Sequence, residues 1–234
     1  MLEGLHAIKH ALRFDARLET CCIRDDTDVA ALSERLAPDI APTLRAIGVR
    51  VAADVFDALS PDPPRTGIVA LARRPSVDPE RLCACDRTAP VVVLDRPADA
   101  GNVGAVVRVA AAAGASAVLC TGPHDPWHAR ALRGSAGAHF ALPVARVERI
   151  PPARPLIALD PTGRALSDVE IPDDAVLLFG SERDGLSATA RDAADMRLSI
   201  PMRAGLSSLN LATSVAITLY RWRLGRPRSG DDRA

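Results

Sequence analysis

One stretch of this chain decides the fold of its larger part: residues 91–115, which read VVVLDRPADAGNVGAVVRVAAAAGA. The stretch opens on the apolar run VVVLD, residues 91–95, and such a run is typical of a parallel strand buried on both faces. A polar turn follows, and a helix is predicted from about residue 102 to residue 113. This order favours a doubly wound, mostly parallel α/β domain, in which ligands bind beyond the carboxyl ends of the strands.

The same alternation of strands and helices extends in both directions along the chain. The sequence predicts a small α/β domain at residues 1–75, a polar, proline-bounded linker at 76–89 with at most a short helix, and a larger α/β domain at 90–234. In the small domain, helices are predicted at 5–13, 29–36 and 55–59, and strands at 18–23, 49–52 and 67–72. In the large domain, further strands are predicted at 117–120, 142–147, 156–159, 175–179 and 197–200, and a long helix at about 208–224.

Bulk composition narrows the class of protein. The 234 residues are 48% hydrophobic and 25% charged, which is enough for a folded core and excludes wholesale disorder. Basic and acidic residues balance at 29 each, which argues against a strongly basic nucleic-acid binder. No apolar run reaches the roughly 18 residues of a membrane span, and the N-terminus lacks a signal-peptide core, so a cytoplasmic protein without membrane partners is expected.

The cysteines and histidines give no metal-site pattern. The five cysteines are odd in number and poorly spaced for a disulfide framework, and Cys83 and Cys85 form only a C-x-C pair. His6 and His10 are spaced four apart on a predicted helix, but no carboxylate of an HExxH motif lies between them. We therefore expect no metal cofactor and interpret both histidines as surface or interface residues.

The first candidate functional loop follows the strand at residues 91–95. Its glycines, Gly101 and Gly104, match neither a dinucleotide-binding turn nor a phosphate-binding P-loop. Asn102 lies near the start of the predicted helix, where unpaired N–H groups favour anions. Arg108 lies off the apolar stripe and is expected to lean over Gly104, leaving room for a ligand beside its guanidinium. The alternative is that Asn102 is a helix cap and Arg108 a surface charge.

Two further loops carry polar residues in similar positions. Residues 175–187, AVLLFGSERDGLS, end a buried strand at Phe179 and place Glu182 between two glycines; the alternative is an ordinary glycine turn with a solvated glutamate. Residues 198–222, LSIPMRAGLSSLNLATSVAITLYRW, end a short strand and open a helix that Ser207 or Ser208 is predicted to cap. Asn210 is polar in the first turn of that helix, and its alternative role is also capping.

In this order, the three loops resemble the motifs of the SpoU/TrmH family of RNA 2′-O-methyltransferases, which belong to the SPOUT class. The matching positions are Gly101, Asn102 and Arg108 in the first motif, Gly180, Glu182 and Gly185 in the second, and Pro201, Met202, Ser208, Leu209 and Asn210 in the third. The segments LRGSAGAHFALPV, EGLHAIKHAL and FDALSPDPPRTGIVALA are also similar to the family, so the resemblance covers nearly the whole chain.

The sequence departs from the family at several positions. Arg183 stands where the family often has glycine, which puts the shape of the cofactor loop in doubt, and Ala100 replaces a more common proline. After Asn210 the sequence reads LATS in place of a frequent VSVA. The chain also begins directly at its first predicted helix, so no strand is expected before that helix.

The resemblance implies a fold and an assembly. It implies a large SPOUT domain with a deep trefoil knot at its C-terminus, a rare exception to unknotted topology, and a small domain like a ribosomal protein that binds RNA. It also implies a homodimer whose active sites take residues from both subunits, with S-adenosylmethionine as the cofactor. Sequence alone leaves open which subunit supplies Arg108.

The resemblance also assigns residues to roles. The implied cofactor-binding residues are Leu159, Asp160, Pro161, Phe179, Gly180, Ser181, Gly185, Ile200, Pro201, Met202, Ser208 and Leu209. The implied catalytic residues are Asn102, Arg108, Glu182, Ser208 and Asn210, and the implied RNA contacts are Arg108 and Arg133. A guanidinium has a pKa above about 12 and is a poor base. We therefore expect Arg108 to position the nucleotide while a phosphate or water accepts the proton, and Glu182, Ser208 and Asn210 to hold Arg108 and the nucleotide.

The predicted activity is transfer of a methyl group from S-adenosylmethionine to a ribose 2′-hydroxyl of structured RNA, with ribosomal RNA favoured and transfer RNA second. Two alternatives remain: a base methyltransferase of the same fold, and an RNA-binding protein without activity. The charge balance predicts modest RNA affinity with a shallow salt dependence. The net charge of zero over the whole sequence hides local basic patches, since residues 221–228 carry four arginines and no acid.

Overall fold

The computed structural model describes residues 1–83, 87–152 and 155–226, and these form two sheets with helices around them. In chain order the elements are β1 (Leu2–Glu3), α1 (Leu5–Arg13), β2 (Leu18–Arg24), α2 (Val29–Leu36), α3 (Ala41–Ile47), β3 (Gly48–Val51), α4 (Ala53–Ala58), β4 (Ile68–Ala72), α5 (Pro79–Leu82), β5 (Val91–Leu94), α6 (Ala100–Ala113), β6 (Ala117–Cys120), α7 (Ala129–Ser135), a 3₁₀ helix (Ala138–Phe140), β7 (Val144–Arg146), β8 (Leu156–Ala165), a second 3₁₀ helix (Leu166–Asp168), β9 (Val176–Phe179), α8 (Ala188–Ala193), β10 (Met196–Ser199) and α9 (Leu211–Leu224).

The first sheet has four strands in the order β1-β4-β2-β3. β2 pairs in parallel with β3, and β4 is antiparallel to both β1 and β2. The predicted helices α1 and α2 are confirmed with their bounds. The expectation that no strand precedes α1 is wrong, because Leu2 and Glu3 pair with β4; two residues are too few to show a period of two. Helix α3 was not predicted, although Pro42 lies in its first turn, where proline suits a helix.

The second sheet has six strands, all parallel, in the order β10-β8-β9-β5-β6-β7. The apolar runs in β5, β6 and β9 are buried at every position, as strands covered by helices on both faces must be. This confirms the predicted parallel α/β fold. The strand β8 is longer than predicted, because it continues to Ala165 and pairs with β10 beyond a bulge.

The start of the last helix differs from the prediction. We expected α9 to begin near residue 208 with Ser207 or Ser208 as its cap, but it begins at Leu211. The side-chain oxygen of Asn210 accepts hydrogen bonds from the backbone N–H groups of Ala212 and Thr213, at 2.9 and 3.3 Å. Asn210 is therefore the N-cap, and both serines remain in the loop before it.

The described part of the chain contains no helix long and apolar enough to cross a membrane. Within residues 1–83, 87–152 and 155–226, no group of three His, Cys, Asp or Glu side chains has the arrangement of a metal site. The predicted C-x-C pair is only half visible, because Cys85 lies outside the described residues, and so does Arg228 of the arginine-rich segment.

Helix α7 packs on both sheets' cores. Leu132 of α7 is buried in the core of the first sheet together with Leu5 and Ile8 of α1. On its other side α7 packs closely along α6, whose residues Val103 and Val107 belong to the core of the second sheet. The two sheets are thus joined by a shared helix and not only by the connecting segment.

The contact between α6 and α7 corrects one prediction. Gly104 was expected to leave room for a ligand beside Arg108, but it is buried and faces α7. A β-carbon at Gly104 would lie 2.2 Å from the carbonyl oxygen of Ala131 and 2.9 Å from the backbone nitrogen of Ser135. The glycine therefore serves close helix packing, since only a hydrogen atom fits between the two backbones.

We expect Gly104→Ala to destabilise the fold by about 1–3 kcal/mol, because the added methyl group forces backbone atoms apart in a packed core. Urea unfolding, followed by circular dichroism, measures the change. The exposed position Ala112 on the same helix provides a control: Ala112→Ser should change stability by less than about 0.5 kcal/mol. An unchanged unfolding midpoint in Gly104→Ala would show that α7 can move away without cost.

Candidate active site

A cleft opens at the carboxyl ends of β9 and β10, between the loops that follow these two strands and residues 159–161 in the middle of β8. The volume of the cleft is about 840 Å³ when the space at its opening to solvent is included. The residues that line it are Leu159, Asp160, Pro161, Phe179, Gly180, Ser181, Glu182, Gly185, Leu186, Arg191, Leu198, Ile200, Met202, Ser207, Ser208, Leu209, Leu211 and Ser214. Every residue that the resemblance assigns to the cofactor lies in this lining except Pro201, which is exposed beside it.

The loop after β9 is a tight hairpin. Ser181 and Gly185 exchange two backbone hydrogen bonds, at 3.0 and 3.1 Å. Gly180 packs against the returning strand of this hairpin, and a β-carbon there would lie 2.1 Å from the carbonyl carbon of Gly185. Gly185 has a φ of 66°, a backbone conformation that favours glycine. Arg183, the departure from the family pattern, lies exposed at the tip of the hairpin.

A chain of hydrogen bonds joins the three predicted motifs at the edge of the cleft. The amide nitrogen of Asn102 donates to Glu182 Oε1 at 2.8 Å, and the amide nitrogen of Asn210 donates to Asn102 Oδ1 at 3.1 Å. Glu182 also accepts hydrogen bonds from the backbone N–H groups of Ala98 and Asp99, at 2.9 and 3.4 Å. The carboxylate therefore fixes the start of α6, and the asparagines connect it to the start of α9.

These contacts also decide between the alternatives for Asn102 and Glu182. The N-cap of α6 is Asp99, whose side chain accepts a hydrogen bond from the backbone nitrogen of Asn102 at 2.9 Å. Asn102 is thus not the cap, and its side chain is available to Glu182 and Asn210. Glu182 is not a solvated turn residue either, because both of its carboxylate oxygens accept hydrogen bonds.

Arg108 lies apart from this group. Six residues along an α-helix correspond to a rotation of about 240° and a rise of about 9 Å, so Arg108 and Asn102 point in different directions from α6. Arg108 is exposed, and no side chain of the described residues forms a hydrogen bond or ion pair with it. The expectation that Glu182, Ser208 and Asn210 hold Arg108 is therefore wrong within one chain.

Arg133 also differs from its predicted role. Its guanidinium donates to Glu3 Oε2 at 2.6 and 3.1 Å and to Asp62 Oδ2 at 3.0 Å. These carboxylates raise the pKa of Arg133, and Arg133 and Ser60 lower the pKa of Glu3 against the effect of burial. Because two carboxylates neutralise Arg133, its contacts argue against the predicted phosphate contact. The ion pair with Glu3 instead joins α7 to β1 of the first sheet.

Comparison with known proteins agrees with this arrangement. Residues 89–220 match the model of the SpoU rRNA methylase family. The chain belongs to this family. The 23S rRNA (guanosine(2553)-2′-O)-methyltransferase of Bacillus subtilis is 28% identical over 95% of this chain and 88% of its own length. The 23S rRNA (uridine(2479)-2′-O)-methyltransferase of Streptomyces viridochromogenes is 30% identical over 79% of this chain and 69% of its own length.

A solved structure supports the same assignment. The SpoU methyltransferase AviRb from Streptomyces viridochromogenes, in complex with S-adenosylmethionine, superposes with a TM-score of 0.76 at 25% identity, over 96% of this chain and 89% of that chain. The predicted family, enzyme class and cofactor are thus confirmed: this SpoU methylase is an S-adenosylmethionine-dependent rRNA 2′-O-methyltransferase.

The cleft of this SpoU methylase suits S-adenosylmethionine chemically. The partly exposed apolar side chains of Leu159, Ile200 and Met202 offer a surface for a flat purine ring. The carboxylate of Asp160 supplies a buried acceptor for hydroxyl or amino groups. The residues present therefore fit this cofactor.

Arg191 is a cleft residue that sequence reasoning missed. Its guanidinium lies 3.2 Å from the buried carboxylate of Asp160, which also accepts hydrogen bonds from the backbone and hydroxyl of Thr162. Burial acts to raise the pKa of Asp160, but Thr162 and Arg191 lower it, so the carboxylate stays charged. Arg191 lies on α8, outside the three motifs, and only the fold brings it to the cleft.

The pKa of Glu182 is lowered in the same way. Burial acts to raise it, and the N–H groups of Ala98, Asn102 and Asp99 outweigh that effect. A carboxylate whose pKa is lower in the folded than in the unfolded protein adds stability that is fully present above the unfolded value, here 4.5. This stability is lost as the pH falls through the lowered pKa of the folded protein.

We expect Glu182→Gln to be less stable than the wild type at neutral pH, with a difference that shrinks as the pH falls below about 4.5. Thermal unfolding of both proteins from pH 3 to pH 7 measures this. Glu170→Gln, at an exposed glutamate away from the cleft, is the control and should show no such convergence. A constant difference over the whole range would mean that the charge of Glu182 contributes nothing to stability.

Proposed function

We propose that the cleft holds S-adenosylmethionine for methylation of a 2′-hydroxyl in ribosomal RNA, with Leu159–Pro161, Phe179–Ser181, Gly185, Ile200, Met202, Ser208 and Leu209 as cofactor contacts. The observation that carries this is the hydrogen-bonded chain from Glu182 through Asn102 to Asn210, which ties together the loops around the cleft. The bound cofactor supplies an activated methyl group. The protein's own residues hold the loops rigid, exclude water and align the hydroxyl.

In this proposal Arg108 binds the phosphate of the target nucleotide and orients its ribose. Its guanidinium remains charged at any working pH, so the proton of the hydroxyl passes to a phosphate oxygen or to water. Ser208 is exposed at the cleft and provides a hydroxyl for contact with the nucleotide. Arg133, in contrast, acts through Glu3 and Asp62 to hold α7 in place.

We further propose a homodimer in which Arg108 reaches the cleft of the other subunit. Two observations support this: Arg108 points away from the cleft of its own chain, and α9 carries exposed apolar side chains at Ile217, Tyr220 and Leu224. These three lie at helical spacing along one side of α9, opposite to its buried side. Helix α9 also packs along α6, so one interface would cover both helices.

The knot and the role of the small domain belong to the same proposal. A knot is supported by the position of β8 between β9 and β10, with the loop at residues 200–210 returning beside the middle of β8 and the loop after β9. The division at residues 1–75, 76–89 and 90–234 is supported by the two separate sheets. We propose that the first sheet and its helices form the RNA-binding domain like a ribosomal protein. The bacterial relatives support the cytoplasm as the site of the reaction.

The experiment incubates the purified protein with S-adenosylmethionine and either unmodified ribosomal RNA or transfer RNA, followed by nucleoside analysis. The expected product is a 2′-O-methylated nucleoside in ribosomal RNA. Methylation of transfer RNA alone would move the substrate to the second choice. A methyl group on the base, or binding of RNA without binding of S-adenosylmethionine in calorimetry, would overturn the proposal in favour of the two alternatives. Mapping methylation in total RNA from a deletion strain then identifies the nucleotide.

A further inference from the structure

One face of α1 carries basic side chains to which neither the motifs nor the proposed mechanism gives a role. Leu5, Ala7, Ile8 and Ala11 bury the other face in the core of the first sheet. His6, Lys9 and His10 project from the outer face, where the rings of the two histidines are in contact, with centroids 4.6 Å apart and ring planes tilted by 59°. We call His6, Lys9 and Arg108 together the α1–α6 surface.

Helix α1 is fixed directly against the catalytic unit. The Nδ1–H of His10 donates to the carbonyl oxygen of Ala136 at 2.8 Å, just after the end of α7. Gly137 has a φ of 84°, and a β-carbon there would lie 2.2 Å from the carbonyl oxygen of Ala7, so the two backbones touch. The 3₁₀ helix that follows Gly137 contacts both α1 and α6. The orientation of α1 relative to α6 is therefore determined by backbone packing.

This packing brings the outer face of α1 beside Arg108. Partial burial lowers the pKa of His6, and the charges of His10, Lys9, Arg108 and Arg13 lower it further. Arg13 is itself neutralised, because it donates to both oxygens of Asp39 at 2.7 and 2.8 Å. In the part of the chain that the structure describes, neither Lys9 nor Arg108 is engaged in an ion pair.

We propose that the α1–α6 surface binds successive phosphates of the substrate RNA, with Arg108 at the target nucleotide and His6 and Lys9 at the phosphate next to it. This rests on the proposed function, since it takes Arg108 as the residue that meets the nucleotide. Three cationic or protonatable groups on one rigid surface suit a polyanion, and phosphate contacts of this kind set the register of a protein on nucleic acid. The small domain and Arg108 of one subunit would then both act at the active site formed with the cleft of the other subunit.

A second consequence concerns protons. In the free protein, partial burial and the cationic neighbours hold the pKa of His6 below its ordinary value. A phosphate beside the ring favours its protonated form, so RNA binding should take up a proton. The groups that face His6 are His10, Lys9 and Arg13 on α1 and Arg108 on α6, with Asp39 beyond Arg13. RNA affinity should therefore rise as the pH falls through the range in which His6 titrates.

The test compares His6→Gln, Lys9→Gln and the double variant with the wild type, using the ribosomal RNA that the wild type methylates. Each single variant should raise the KM for RNA about threefold to tenfold and flatten its dependence on salt by about one unit of log–log slope per lost phosphate contact. Calorimetry should show unchanged affinity for S-adenosylmethionine. The rise in KM between pH 5.5 and pH 7.5 should be present in the wild type and absent in His6→Gln.

Arg81→Gln removes an exposed charge on α5, in the segment between the two sheets, and should leave the KM for RNA unchanged. If Arg81→Gln raises KM as much as Lys9→Gln does, net charge and not the α1–α6 surface accounts for the effect. Wild-type values of KM and salt dependence in both α1 variants would overturn this inference alone. Absence of methylation by the wild type would instead overturn the proposed function, which separates the two failures.

Discussion

Arg108→Ala is expected to lower the rate of methyl transfer by about 10³-fold or more while leaving the affinity for S-adenosylmethionine within about twofold. Arg108 does not line the cleft of its own chain, so in the proposed dimer it is available to the RNA at the cleft of the other subunit. It is exposed near His6 of α1, with no counter-ion among the described residues. Single-turnover kinetics with saturating cofactor measures the rate, and calorimetry measures the affinity.

Arg108→Lys is the matched variant, since it keeps the charge and removes the planar fork. We expect it to recover only a small part of the activity, because a phosphate oxygen pair is held by two parallel N–H groups of a guanidinium. Full activity in Arg108→Lys would reduce the role of Arg108 to a point charge. Methylation retained in Arg108→Ala would remove the residue from the mechanism.

Gly180→Ala is expected to weaken binding of S-adenosylmethionine by more than about tenfold, because the added β-carbon would lie 2.1 Å from Gly185 and 2.3 Å from the backbone nitrogen of Leu186. The hairpin at residues 181–185 must shift, and this hairpin forms one wall of the cleft. Gly225→Ala is the control: its nearest contacts are 3.3 Å away and it lies past the end of α9. Unchanged affinity in Gly180→Ala, with the fold intact by circular dichroism, would mean that the cofactor does not use this wall.

The two variants together test the proposed dimer. A mixed preparation of Arg108→Ala and Gly180→Ala subunits contains dimers in which one cleft is intact and faces an intact Arg108 from the other subunit. If Arg108 acts across the interface, mixing restores part of the activity that each variant lacks. If Arg108 serves the cleft of its own chain, no mixture is active.

The strands of the large sheet were predictable because burial on both faces leaves an unbroken apolar run, as in β5, β6 and β9. The three loops were predictable because their glycines and polar residues follow such strands. The pairing of Asn102 with Glu182 and Asn210 was not, since residues 80 and 108 positions apart meet only after the sheet is assembled.

The errors have the same origin. Gly104 reads as room for a ligand when α6 is considered alone, and only the approach of α7 shows that the space is filled by Ala131. Arg133 looks like a phosphate contact in the sequence, and only the fold brings Glu3 of β1 and Asp62 of the segment before β4 to its guanidinium. Local pattern predicts which side chains are polar and near a turn; it does not predict which of them neutralise each other.

The shared helix α7 has a consequence for how the enzyme selects its target. Leu132 and Arg133 fasten the first sheet to the catalytic unit on one side of α7, while Gly104 lets α6 lie against the other. The distance between the small domain, which we propose binds RNA, and Arg108 on α6 is therefore set by this packing and not by the connecting segment. Under that proposal, the enzyme would modify an RNA only where the fold of the RNA places a ribose at this fixed distance from the part bound by the small domain.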